Sequence, residues 1–279
     1  MSRSYRDRIV VVTGGGSGIG RATVLAFAER GAGVVAADID EAAARRTADL
    51  ARAVGAQEAF ARRVDVASDE SMEELAAGLP DVPDIVVNNA GIGMAGGLLD
   101  TSPEAWNRIL QINLNGVARG CRIFGRQLVD RGSGGHIVNL ASAAAFTPNR
   151  GMAAYATTKA AVLMLSECLR AELAPHKIGV SVICPGFVNT GISKTTEYVA
   201  LDAEGQERAR KAATRGYELR NFPPEKVAKE IVRAVERNAA VVPVAAEAKL
   251  NRALSRLSPG AMRLMARVDP AVLERRGRR

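Results

Sequence analysis

Little in these 279 residues suits a membrane, a metal or a disulfide framework. No apolar run approaches the roughly eighteen residues needed to cross a bilayer. The opening residues, Met1 to Arg8, lead straight into an apolar strand, with no signal-peptide core and no small-residue cleavage site. A cytoplasmic protein is the expectation. Cys121, Cys168 and Cys184 are an odd number without ligand spacing, which fits reduced thiols. There are two histidines, His136 and His176, and neither sits in a ligand motif, so no metal site is expected. Repeats and linkers are also missing. Excess basic charge is scarce over most of the chain: nine Lys/Arg against three Asp/Glu in residues 245–279 carry +6 of the net +8. The nearly neutral remainder argues against a nucleic-acid partner.

What the chain does have is alternation. A β-branched run, Arg8–Thr13, meets Gly14-Gly-Gly-Ser-Gly-Ile-Gly20 and then an apolar-periodic helix that stops at Gly31. Backbone N–H groups at such a helix start can hold a pyrophosphate, because unpaired donors and the helix dipole favour anions. Gly14, Gly18 and Gly20 are the glycines that matter here. A second strand, Gly33–Asp38, ends on an acid eighteen residues after Gly20. Asp38 can accept both ribose hydroxyls of NAD and would repel a 2′-phosphate. Its alternative is a helix N-terminal acid ahead of Ala42–Val54.

A third strand spans Ala59–Val66 and ends in an acid, Asp65. Ser68 opens a helix to Gly78, and a fourth strand closes in Asn88-Asn-Ala-Gly91. Ser102-Pro103-Glu104 starts a long helix that carries Asn113 within its apolar repeat. Asn113 either needs a core partner or faces solvent. Strand five is Gly135–Leu140, followed by Ser142; strand six is Lys177–Cys184, and strand seven Ala239–Val244. The connection from 191 to 221 reads as irregular and polar, the pattern of a functional lid. Phe222-Pro-Pro-Glu225 opens the last amphipathic helix before strand seven. Strand–helix alternation over about 240 residues predicts an α/β, doubly wound parallel sheet in a single domain.

Tyr155 and Lys159 stand four apart on a predicted helix, Gly151–Leu173, and so share a face. A cationic Lys beside a phenol favours phenolate. Bringing a phenol from about 10 to about 7 takes roughly 4 kcal/mol, which is much for one Lys and plausible for a Lys with a positive cofactor.

Thr13-Gly-x-x-x-Gly-x-Gly20, Asn88-Asn-Ala-Gly91, Asn113, Ser142, Tyr155-x-x-x-Lys159 and Pro185-Gly186 stand in this order. Over residues 7–244 the set resembles the short-chain dehydrogenase/reductase family. The resemblance implies a Rossmann-type sheet of seven parallel strands, NAD(P)-dependent alcohol/carbonyl chemistry, and a homodimer or homotetramer built on the helices of Asn113 and Tyr155. It implies that Tyr155 is the general acid/base, that Lys159 holds the nicotinamide ribose, and that Ser142 bonds the substrate oxygen. Asn113 would hold a water linking Lys159 to solvent. Dinucleotide contacts are implied at Gly14, Ser17, Gly18, Ile19 and Gly20, at Asp38, at Asp65 and Val66, and at Asn89, Ala90 and Gly91. Further ones are implied at Tyr155 and Lys159, and at Pro185, Gly186, Val188 and Thr190.

The expected function is therefore an NAD-dependent oxidoreductase for a secondary alcohol or ketone. Its walls (Gly93, Met94, Ala143 to Phe146, Phe187 and the lid) are small or apolar, so an uncharged, lipophilic substrate is expected. The alternatives are an NADP-dependent carbonyl reductase, which Asp38 opposes, and a dinucleotide sensor, which would not need the Asn113, Ser142, Tyr155 and Lys159 set. Residues 1–244 make the dinucleotide-binding catalytic domain on this reading. Residues 245–279 form a basic extension of two short amphipathic helices broken at Pro259-Gly260, packed on the protein itself or on a partner, or lying on an anionic membrane. The terminal Arg-Arg-Gly-Arg-Arg is expected to be disordered.

Overall fold

The computed structural model describes residues 4–267. The β-branched runs become β1 (Ile9–Thr13), β2 (Gly33–Asp38), β3 (Ala59–Arg63), β4 (Ile85–Asn88), β5 (Gly135–Leu140), β6 (Ile178–Pro185) and β7 (Val241–Val244). They form one parallel seven-stranded sheet in the order β3-β2-β1-β4-β5-β6-β7. The order reverses between β1 and β4, so the carboxyl ends of those two strands flank a crevice.

Helices cover both faces, which is why the strands are apolar on both sides. Val10 and Val12 pack with α1 (Gly18–Ala28), α2 (Glu41–Ala53) and α8 (Pro224–Arg237), whereas Val11 faces α3 (Asp69–Ala77) and α5 (Gly116–Arg131). A third cluster joins α5, α6 (Ala153–Leu173) and β6, whose eight residues are all buried. Local chemistry sets the helix starts. Asp40, Ser68 and Ser102 each accept a hydrogen bond from the backbone N–H three residues on, and Pro103 occupies the first turn of α4 (Pro103–Leu110).

Several expectations change. The third strand ends at Arg63, because Asp65 accepts the Ala67 N–H at 2.9 Å and bends the chain off the sheet. The long helix after Ser102 is interrupted by a π turn, Gln111–Asn115, between α4 and α5. The connection 191–221 is mostly ordered helix. It holds one turn at Ile192–Thr195, a two-residue strand Glu197–Tyr198 paired with Met94–Ala95, and the 18-residue α7 (Ala203–Arg220). α7 hid from the pattern because Gly205 is the one residue it buries, so it has no apolar stripe. Its support is local: Asp202 caps Gly205 N at 2.7 Å, and Glu204–Arg208 and Glu207–Lys211 pair one turn apart.

After β7 come α9 (Ala246–Leu257) and α10 (Pro259–Met265), which bury Ala248 and Met262 and leave Leu250, Leu257, Leu264 and Met265 exposed. Arg252 of α9 donates to the Val241 carbonyl at 2.9 Å, on a strand that also contains Pro243. Val268 and the terminal arginines lie outside the described residues. Among the described residues, no helix is long and apolar enough to cross a membrane.

Candidate active site

The glycine turn is fastened to the end of β4. Thr13 Oγ1 accepts the N–H groups of Asn89 and Ala90 at 3.1 and 3.2 Å, and Asn89 Nδ2 donates to the carbonyls of Thr13 and Gly14 at 2.9 and 3.1 Å. Gly14 has φ +63°, and a Cβ there would sit 2.8 Å from Asn89 Nδ2. At Gly20 a Cβ would collide with the Gly14 carbonyl. These two glycines therefore let α1 start against the turn. Ser17 stands at the N-cap of α1 with extended backbone and no side-chain bond to the helix. The turn thus leaves the first N–H groups of α1, including that of Ile19, free of a side-chain cap.

Asp38, at the end of β2, accepts the Gly16 N–H at 2.8 Å and the Asp40 N–H at 3.0 Å. The helix N-cap is Asp40, whose carboxylate accepts from Ala43. The alternative for Asp38 as the capping acid is thereby removed, and its carboxylate is held at the rim of the turn. Across the crevice, Thr190 lies against Gly18, where a Cβ would be 3.1 Å from Thr190 Cβ. A cavity of about 340 Å³ opens there, lined by Gly18, Arg21, Thr190 and Lys194 together with Glu218 and Glu225. A glycine cradle, open helix donors and a rim carboxylate fit a dinucleotide, while the cavity's two cations are balanced by Glu218 and Glu225. Val66 packs on Gly116 and Val188 is buried in the main core, so their side chains serve packing.

The second group lies beyond β4 and β5. Asn113, on the π turn, is fully buried; its amide accepts the Ile92 N–H at 2.8 Å and donates to the Ile92 carbonyl at 2.9 Å. It thus has a core partner. Gly91 lies between it and Lys159: a Cβ there would be 3.1 Å from Asn113 Oδ1 and 3.5 Å from Lys159 Nζ. Lys159 is buried and donates to the Leu140 carbonyl at 3.0 Å. Burial pulls its ammonium down to about 8, with Cys184 nearby opposing the shift. Tyr155 presents its ring 5.8 Å from Lys159 Nζ, and Ser142 is near enough to its phenol to favour the ionised form. Ser142 Oγ also accepts the Ala144 N–H at 3.2 Å.

Burial pushes the Tyr155 phenol above its ordinary value, and Ser142 only partly offsets that. The expected phenolate beside Lys159 is therefore not produced by the protein's own groups. Burial dominates the phenol, and the Lys159 ammonium is directed at the Leu140 carbonyl rather than at Tyr155.

Phe187 is an expected wall, but the pattern gave no signal for its partner. Tyr217 of α7 meets Phe187 edge-on, with ring centroids 5.7 Å apart, and its phenol is pushed up to about 12 by burial, with Tyr155 and Tyr198 adding to the shift. Met94 is buried and Phe146 packs on the α5–α6 cluster, which removes both from an open wall. Among the described residues, no group of three or more His, Cys, Asp or Glu gathers as metal ligands.

Comparison with known proteins agrees with this geometry. The family model described as "short chain dehydrogenase" matches residues 8–198. "Probable oxidoreductase EphD" of Mycobacterium tuberculosis is 47% identical over 269 residues, which is 95% of this chain and 45% of that protein. The chain therefore spans about half the length of the curated relatives it matches first. "NAD-dependent glycerol dehydrogenase" of Listeria innocua is 35% identical, covering 67% of this chain and 73% of that one. A crystal structure from Burkholderia phymatum, described as a short-chain dehydrogenase/reductase in complex with NAD, superposes with a TM-score of 0.83 at 29% identity, covering 96% and 99% of the two chains.

Proposed function

Because the chain belongs to the short-chain dehydrogenase/reductase family, we propose that it is an NAD-dependent oxidoreductase interconverting a secondary alcohol and a ketone, with Tyr155 as general acid/base. The observation that carries this reading is Asn113 and Lys159 meeting across Gly91, with the Tyr155 ring 5.8 Å from Lys159 Nζ and Ser142 beside the phenol, beyond the carboxyl ends of β4 and β5. Tyr155 Oη takes the proton from the substrate hydroxyl in oxidation and returns it to the alkoxide in reduction. Ser142 Oγ bonds the same oxygen and stabilises the charge that develops there. Lys159 holds the ribose next to the reacting ring, and its buried ammonium keeps a positive field on the phenol. Asn113 fixes the Ile92 backbone and, on this reading, orders a water behind Lys159.

The dinucleotide would be held by Gly14, Ser17, Gly18, Ile19 and Gly20, with Asp38 on the adenosine ribose, Asp65 and Val66 beside adenine, and Asn89 to Gly91 along the chain. Pro185, Gly186, Val188 and Thr190 would lie around the carboxamide. When bound, it supplies or accepts the hydride. Its cationic nicotinamide is also the group that can offset the desolvation of Tyr155. Asp38 favours NAD over NADP, because its carboxylate accepts ribose hydroxyls and repels a 2′-phosphate.

Phe187, Tyr198 and Tyr217 support a lipophilic, uncharged substrate, and a soluble cytoplasmic homo-oligomer is the assembly we assign. The test is a panel of lipophilic alcohols and ketones run on the wild type and on Tyr155→Phe. Turnover lost in the variant with unchanged NAD affinity is expected. Activity retained by Tyr155→Phe, or turnover of polar sugars and carboxylates alone, refutes the reading.

A further inference from the structure

We propose that Glu247, at the start of the C-terminal helix α9, is a positioning residue that clamps the Phe187 loop together with the lid. The inference rests on the dinucleotide reading above, which places that loop at the reacting ring. One carboxylate oxygen of Glu247 accepts the Phe187 N–H at 2.9 Å, and the other pairs with the Arg220 guanidinium. Arg220 Nε in turn donates to the Phe187 carbonyl at 3.2 Å. One ion pair therefore satisfies both polar groups of a single residue. Its two halves come from the last turn of α7 and the first turn of α9. Hydrogen bonds to ionised partners are the stronger kind, and an acid in a first turn is favoured by the helix dipole.

Three further observations point to a built device. A Cβ at Gly186 would collide with the Glu247 carboxylate, so the clamp in this geometry uses the glycine. Ala245, two residues earlier, has φ 79°, in the left-handed half of the map that alanine avoids. Observed strain of this kind persists only where its surroundings fix it. Finally, Tyr217 sits three residues before Arg220 and places its ring on Phe187, so ring contact and clamp join the same loop to the same helix. α7 buries no residue but Gly205, and its other holds, Gln206 on the Tyr198 N–H, Arg210 on the Thr196 carbonyl and Thr214 on Ser193, all reach the 193–198 segment and not the Phe187 loop.

The experiment compares Glu247→Ala, Glu247→Gln and Arg220→Ala by hydrogen exchange over residues 185–190 and 203–220, by NADH fluorescence titration, and by steady-state kinetics. Removal of a charge-assisted bond is expected to speed exchange at the Phe187 loop about tenfold or more in Glu247→Ala. The dinucleotide KM should rise several-fold while kcat falls less. Glu247→Gln, which can still accept the Phe187 N–H, should recover most of the loop protection. Wild-type exchange in Glu247→Ala overturns the proposal. So does a lowered Tm with unchanged dinucleotide KM, which would make the clamp a structural staple. If Glu247→Ala does not fold, the Gln and Arg220 variants decide by the same criteria. A wild type that binds neither NADH nor NADPH would sink the functional reading, and exchange alone would then report whether the clamp exists.

Discussion

Replacing Lys159 by Met should make the protein inactive and should remove a pH dependence of stability between pH 8 and 10.5. Lys159 is buried, and its ammonium is pulled to about 8 from an ordinary 10.5. That gap corresponds to about 3 kcal/mol by which the folded state is penalised for holding the charge. Between pH 8 and 10.5 the unfolded chain binds more protons than the folded one, so the wild type gains stability as pH rises through this window and none below it. Met keeps the length and apolar stem without the charge.

Two terms set the offset at pH 7: the removed penalty, and an orphaned Leu140 carbonyl worth about 1–3 kcal/mol against the variant. They nearly cancel, so the pH dependence is the discriminating quantity. Urea titrations of both proteins without dinucleotide, from pH 7 to 10, should show the stability difference moving by about 2–3 kcal/mol in favour of the wild type. Other groups that titrate over this range are common to both proteins and drop out of the difference. A difference that stays flat with pH would show that Lys159 is not held in the desolvated state described.

His136 should govern acid stability. Burial, with Arg170 adding, lowers its imidazole to about 4. Its Nε2 lies 2.9 Å from Ser181 Oγ, whose own proton goes to the Ala239 carbonyl, so Nε2 carries the hydrogen. Stability should fall by about 3 kcal/mol as pH drops from about 6.5 to 4, and a His136→Asn variant followed by urea unfolding should lose most of that slope. Asn113→Leu orphans the N–H and C=O of Ile92 and should cost about 2–4 kcal/mol in urea unfolding. Its kcat should fall further than that loss of folded population explains; unchanged kcat would remove Asn113 from the site.

The strands and the glycine turn are readable because each is local, though the end of β3 is not, since Asp65 turns the chain off the sheet. A β-branched run, a turn that needs glycine and a helix start are written within about a dozen residues. Tyr155 and Lys159 share a face by helix geometry alone. What could not be read lies across the chain or within a change of helical pitch. The π turn at Gln111–Asn115 leaves no mark in an apolar repeat, yet it allows Asn113 to hold both polar groups of Ile92. α7 read as irregular because charged pairs and a cap support it rather than a buried stripe. The Glu247–Arg220 pair joins positions 27 residues apart through a third segment, and no spacing rule connects them. The direction of the Tyr155 shift depends on how deeply its ring is packed, which sequence adjacency to a lysine does not reveal.

The last strand of the sheet bears on how copies of this chain can meet. An exposed strand margin invites another chain to continue the ladder. Along Val241–Val244, Pro243 has no proton to donate and Arg252 already occupies the Val241 oxygen. That margin is a poor template for an eighth strand, so growth of a continuous sheet from one molecule into the next is blocked there. A second copy meeting this edge would have to bind through side chains rather than by extending the backbone ladder.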